Sequence, residues 1–273
     1  MKPTQWLSRF FLLGWFISLP VFATSDAEAL AKRVYERPDG DDRASFGYMV
    51  LVEEGHKPRV RGMFSYGKDK SYSDVWSLIR FTSPKDIANT GLLTLDSEAK
   101  DSEQWVYLPG LDRVRRISSS RKGGRFVGSD IFYEDLQNRL YTKDNHKILG
   151  KAKVNKLDAI ILESTPKKAD DSAYSKKVSW IHESSLIALK VEYYQDGAAK
   201  PMKRLLVNKI NKTQGYWTVL ESTVTDLDSG HKTIMKVKNV LYDQGLADDM
   251  FTVQVLEDPS RETKYRPKQL EQK

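Results

Sequence analysis

The sequence predicts a mainly β protein: one large curved antiparallel sheet of about 10–12 strands, bent into a barrel or half-barrel, with a few helices as the candidates to cover its open apolar surface. Three observations lead there. Apolar and polar residues alternate with a period of two through most of the chain. Short turn signals, Asp196-Gly197, Gln214-Gly215 and Ser229-Gly230, recur at hairpin spacing. The strands so generated outnumber what an open twisted sheet carries without curling. Residues 24–257 have a length suited to one β domain, since barrels and sandwiches of this size often remain undivided.

Residues 1–23 read as a signal peptide. Lys2 and Arg9 precede an apolar run from Phe10 to Phe22 that Gly14 and Pro20 interrupt. Val21 and Ala23 are the small residues a signal peptidase reads, which puts cleavage after Ala23. The run is shorter than the roughly 20 residues a spanning helix needs. The expected location is therefore the periplasm. The chain has no cysteine, so it offers neither a lipobox nor a disulfide. It carries 44 Lys+Arg against 37 Asp+Glu; without Lys2 and Arg9 the balance is 42 to 37, moderately basic. Export argues against nucleic acid as partner and favours anionic lipid headgroups.

Asp26 to Glu36 reads as an amphipathic helix, with Ala27, Leu30, Ala31 and Val34 at helical spacing and Pro38-Asp39-Gly40 stopping it. Strands follow: Phe46–Val52, Val60–Tyr66, Tyr72–Phe81, Leu92–Leu95, Trp105–Leu108 and Arg113–Ile117. In the second half they are Lys147–Val154, Ala159–Ser164, Lys177–His182, Leu186–Tyr194, Met202–Ile210, Tyr216–Thr225 and Thr233–Leu241. Helical signals recur only near Asp130–Gln137, which Ser129 or Asp130 would cap, and near Ala247–Phe251. Residues 258–273 are charged and patternless, and read as a loosely ordered tail.

Few residues suggest catalysis. His56, His146, His182 and His231 are scattered, none at metal-ligand spacing, so no metal and no cofactor is expected. Asp39, Asp41 and Asp42 do not have calcium-loop spacing. No Gly-x-Ser-x-Gly elbow occurs, and a hydrolase would have to be built from Ser129 and His146.

Two other resources stand out. The first is a basic cluster, Arg113, Arg115, Arg116, Arg121, Lys122 and Arg125, suited to an anionic headgroup or a partner because arginine makes bidentate anion contacts. Alternation places Arg113 and Arg115 on one strand face and Arg116 with Val114 on the other. The second is a set of aromatics, Trp76, Trp105, Tyr107, Phe126, Phe132, Tyr133, Trp180 and Trp217, which are candidates for the wall or lid of an acyl cavity. The polar tips of Tyr and Trp suit a wall that is sometimes wet.

The segment Gln104-Trp105-Val106-Tyr107-Leu108-Pro109, with Arg115-Arg116-Ile117, Gly128-Ser129-Asp130 and Tyr133-Glu134-Asp135-Leu136, resembles a hallmark of the LolA-like outer-membrane lipoprotein-sorting proteins. The similarity is to a branch found beside RND-type, MMPL-like exporters. The resemblance implies an unclosed barrel plugged by helices and a hydrophobic cavity for acyl chains. It implies a carrier, not an enzyme, for lipoprotein acyl chains or another lipid, with an inner-membrane RND-type exporter and an outer-membrane acceptor as partners. In the dedicated carrier of that family an arginine inside the cavity helps gate cargo. Arg43 and Arg61 are the positions at which a counterpart is sought, and the role is assigned to neither. A periplasmic lipid-sensing regulator on the same fold is the alternative.

Overall fold

A computed structural model describes residues 24–71 and 73–271. The expected signal peptide and its cleavage site lie outside those residues. The chain opens with α1 (Thr24–Tyr35) and continues through β1 (Asp42–Val52), β2 (Arg59–Asp69), β3 (Val75–Ser83), β4 (Gly91–Leu95), β5 (Glu103–Leu108) and β6 (Arg113–Arg116). After a stretch of 3-10 turns come β7 (Asp144–Val154), β8 (Leu157–Pro166), β9 (Lys176–His182), β10 (Ala188–Tyr194), β11 (Lys203–Thr213), β12 (Tyr216–Asp226) and β13 (Lys232–Tyr242). Three short helices close the described chain: α2 (Val253–Glu257), α3 (Pro259–Thr263) and α4 (Lys268–Glu271).

All the strands join one antiparallel sheet in the order β6-β5-β4-β3-β2-β1-β13-β12-β11-β10-β9-β8-β7. Among the described residues thirteen strands form, one above the upper expectation, and even the four-residue β6 pairs fully with β5. Strand β1 pairs with β13, so the two meanders meet in the middle, and β6 and β7 remain as free edges. The sheet is curled but not closed. Ser65 and Ile79 of β2 and β3 line the same cavity as Leu162, Ser179 and Val191 of β8 to β10, strands far apart in the sheet order. Only a face that curls inwards brings those strands together.

The two faces of β1–β5 are covered by different parts of the chain. On the concave face Met49, Leu51, Met63, Phe81, Leu92 and Val106 pack against Phe126 and Ile131, from a strap spanning residues 117–136. On the convex face Phe64, Tyr66, Leu78, Leu93 and Tyr107 pack against Leu246, Met250, Phe251, Val255, Leu256 and Leu270. Helix α1 covers the other half of the concave face, burying Ala27, Leu30 and Ala31 against Leu162 and Ile181.

Two expectations are corrected. The Asp130–Gln137 segment is not an α-helix. It forms a 3-10 turn at Tyr133–Leu136 within an irregular strap, and Ser129 does not cap a helix. Its hydroxyl donates to the Phe126 carbonyl (2.7 Å) and accepts from Ile131 N (3.2 Å), which tightens a turn. The residues past Asp258 are also not loose. Glu262 is fully buried and accepts from Arg80 Nε (2.7 Å), Tyr66 (3.0 Å) and Arg266 (3.2 Å), while Leu270 joins the convex core. The tail lacks apolar periodicity because it docks through one charge and a few apolar side chains. Gly91 permits that docking, since a Cβ there would sit 2.8 Å from both Arg80 Nη1 and Leu256 Cδ1.

Candidate functional site

The strap is fixed at three points by charge rather than by helix packing. Near its middle Arg61 donates to the Val127 carbonyl (2.6 Å). Val127 itself sits at φ 47, a left-handed conformation that strains a β-branched residue. Next, buried Asp130 receives hydrogen bonds from Arg125 (2.6 Å) and Thr233 (2.8 Å) and pairs with His231 (2.6 Å). At the far end Asp135 accepts from Phe132 N (2.7 Å) and Tyr174 (2.8 Å), and it pairs with Lys203.

Lys203 is a buried cation from β11. Its ammonium lies 3.8 Å from the centre of the Phe132 ring, 4.7 Å from Tyr193 and 4.9 Å from Tyr174. Burial holds its pKa below the usual lysine range, against the pull of Asp135. Burial likewise pushes the Tyr174 and Tyr193 hydroxyls upward. Three rings and a carboxylate around one ammonium replace the water it gives up, so the contact anchors strap to sheet.

Two cavities adjoin the strap. The first, about 890 Å³, is the hollow of the sheet. Ala31, Val34 and Tyr35 of α1 form one wall, Ile79, Ile181 and Val191 part of the floor, and Leu136 its border with the strap. Its rim is charged: Arg43, Asp69 and Asp96 line it. Partial burial, with Asp39 and Asp41 nearby, pushes the Asp69 carboxyl up to about 6, although Arg43 opposes the shift. Burial also raises Asp96, whose Oδ2 accepts from Asn138 N (2.7 Å). The second cavity, about 820 Å³, occupies the gap between the free edges. Arg116 and Ile117 contribute from the β6 side, Thr142, Lys143, Lys167 and Lys168 from the β7–β8 side. Gln137, Asn138 and Arg139 line both cavities.

The expected aromatics are distributed otherwise. Trp76, Trp105 and Tyr107 lie on the convex face beneath the C-terminal segment. Phe126, Phe132 and Tyr133 belong to the strap, where Phe126 tilts against Phe81 at 5.7 Å. Trp180 carries the Lys190 ammonium 3.3 Å from its ring centre, and Trp217 meets His182 edge-on at 6.4 Å. Among the described residues, none of these eight lines the hollow, whose aromatics are Tyr35, Tyr141, Tyr193 and Tyr216. Alternation assigned residues to faces but could not say which face curls inward.

The basic cluster divides as well. Arg116 and Lys122 line the edge-gap cavity, whereas Arg113, Arg115 and Arg121 are exposed outside it. Arg125 is spent on Asp130 and Asp226. Lys143, Lys167 and Lys168, which complete the basic wall, were missed because they sit on the opposite edge; the Lys167-Lys168 pair was their one sequence signal. Of the two arginines considered for a gate, Arg43 lines the hollow and Arg61 holds the strap. Ser129 and His146 form no pair: His146 bonds Ser164 (2.9 Å) and the Tyr141 carbonyl (2.8 Å). Among the described residues no cluster of His, Asp or Glu has metal-binding geometry, and no helix is long and apolar enough to cross a membrane.

Residues 73–258 match the model of a family described as "Uncharacterized protein". No curated protein matches the chain. Among solved structures, a putative outer membrane lipoprotein-sorting protein domain from Vibrio parahaemolyticus is 27% identical with a TM-score of 0.81, over 86% of this chain and 100% of that one. A DUF1329 family protein from Desulfovibrio piger is 32% identical with a TM-score of 0.80, over 85% of this chain and 98% of that one. A LolA superfamily protein from Nitrosomonas europaea, 17% identical over 84% of this chain and 98% of that one, shares the fold at a TM-score of 0.65.

Proposed function

The chain belongs to the DUF1329 family and has the LolA-like fold of outer-membrane lipoprotein-sorting proteins, and from that premise we propose that it is a periplasmic carrier of acyl chains. The observation that carries this reading is the hollow of about 890 Å³ between strands from both halves of the sheet. Its size falls within the roughly 300–1,000 Å³ of ordinary ligand pockets. Chains bind there by displacing water, each buried methylene contributing about 0.8 kcal/mol. The reaction is binding and release, with no bond made or broken. Phe126, Phe132 and Tyr133 act from the strap as part of a lid, not as cavity wall.

The cargo is a lipoprotein or another lipid released from the inner membrane and delivered to an outer-membrane acceptor. An RND-type exporter is the donor that the 104–136 segment suggests. Release needs an acceptor or a strap movement, because apolar burial alone would retain the cargo. Native mass spectrometry and lipid extraction of protein purified from its own periplasm test the reading. A reproducible co-purifying lipid or acylated protein is the expected result. Protein that emerges empty and takes up no fluorescent fatty-acyl probe would overturn it.

A further inference from the structure

We propose that the cleft between the two free edges of the sheet binds the anionic head of the same amphiphile whose chains fill the hollow. This rests on the carrier reading and adds a headgroup site to it. The cleft is a built cavity of about 820 Å³, not a flat charged surface. Six of its lining residues are basic and three acidic, so it keeps an excess of positive charge.

Most of those cations are engaged. Arg139 donates to Asp144 (2.8 Å) and to the Asp171 carbonyl (2.7 Å), which makes it a structural clamp. Lys122 lies 3.7 Å from Asp171, Lys143 3.4 Å from Asp101 and Arg116 2.6 Å from Glu103. Lys167 and Lys168, which follow directly on β8 and line the cleft, have no ion pair among the described residues. They are held beside the cleft by backbone, since Lys167 N donates to the Lys143 carbonyl (3.0 Å). Hydroxyls of Ser102, Ser118, Ser119 and Thr142 also line the cleft and can donate to the same oxygens.

Position links the cleft to the carried chain. The strip Gln137–Arg139 lines the cleft on one side and the hollow on the other. It is tied down by Gln137 to Gln104 (3.0 Å), Asn138 N to Asp96 and Arg139 to Asp144. A molecule crossing it leaves its apolar part in the hollow and its polar part among lysines and hydroxyls. A phosphate or phosphate-like head is the chemistry that this set fits. Closing the barrel would have removed the gap, so the open edges create the site.

The test compares two probes with the same dodecyl chain, dodecyl phosphate and a neutral dodecyl maltoside, on the full chain and on Lys167→Gln/Lys168→Gln. Both lysines are exposed, so the variant should fold and melt like the parent. The expected result is that the variant, which loses both unpaired cations, binds dodecyl phosphate at least about tenfold more weakly, and the neutral probe unchanged. The parent's preference for the phosphate probe should also shrink as salt is raised. If both probes bind the parent and the variant equally, the headgroup site is overturned and the carrier stands. If neither binds the parent, the carrier reading falls and this proposal with it. If inorganic phosphate alone binds the parent but not the variant, while the probes are not discriminated, the cleft is a free-anion site and its link to the carried chain is overturned.

Discussion

The two covers on β1–β5 press on opposite faces of the same strands, yet they are built differently. The C-terminal segment buries a continuous apolar patch together with Glu262, which pairs with both Arg80 and Arg266, the Arg80 and Glu262 side chains being essentially inaccessible. The strap contributes only Phe126 and Ile131 to the buried core of its face and is pinned by several charged contacts, at Arg61, Asp130 and Asp135, with cavities along its margins. The difference separates closing a core from guarding a cavity. A buried pair among packed side chains, with all its partners in the same core, opens only when the core opens. Anchors beside a wet cavity can exchange partners locally, and mobile functional elements come from such regions of low local stability.

Removing one side of the buried pair should give the largest effect. Arg80→Met takes the nearer cation from buried Glu262, leaving it Tyr66 and Arg266, and also strands the Asn89, Val255 and Leu256 carbonyls, and the expected loss is about 3–5 kcal/mol in urea unfolding. Adding Glu262→Leu should restore part of that loss, because an apolar replacement of both partners removes the stranded charge. A second substitution that costs as much as the first would mean that the pair is not coupled.

Lys203→Met should cost less, about 1–3 kcal/mol, since Asp135 keeps its bonds from Phe132 N and Tyr174. The loss should be local. Hydrogen exchange of residues 126–136 should accelerate in Lys203→Met while residues 253–263 stay protected. Equal acceleration of both covers would erase the distinction between them.

Ser179→Trp places a large side chain into the hollow from β9. Uptake of a fluorescent acyl probe should fall by about tenfold or more, with melting close to the parent. Undiminished uptake would mean that the chains bind elsewhere.

The smallest effect is at the rim. Folding raises Asp69 to about 6 from the usual carboxylate value, so the folded chain holds this proton more tightly than the unfolded one. Its stabilising share is complete below about pH 4 and is lost as pH rises to about 6. Asp69→Asn should therefore flatten stability against pH within that window, and a carboxyl NMR titration should find the parent's midpoint near 6. An ordinary midpoint in the parent would remove Asp69 as a proton-sensitive part of the rim.

Local features were well marked in the sequence. Helix α1 follows the spacing of Ala27, Leu30, Ala31 and Val34, and the hairpins fall where Asp196-Gly197, Gln214-Gly215 and Ser229-Gly230 place them. The arginine faces of β6 also follow its alternation, since Val114 pairs with Tyr107 on the convex side and Arg115 with Val106 on the concave side. Contacts made across distance were not legible. Arg80 and Glu262 are 182 residues apart, and Lys203 and Asp135 are 68 apart. A lone Glu in a charged tail and a Lys at a strand start carry no mark of burial.

The strand series was legible in the sequence, because period-two alternation and turn chemistry act over a few residues, while the family was legible only through the resemblance of the 104–136 segment. The tertiary structure decided which face became the hollow, which cover guards it, and which lysines meet across the open edges. Curvature belongs to the whole sheet. The direction in which it curls turns Trp105 and Tyr107 into convex core and Tyr193 into cavity wall, though all three lie on similar alternating strands.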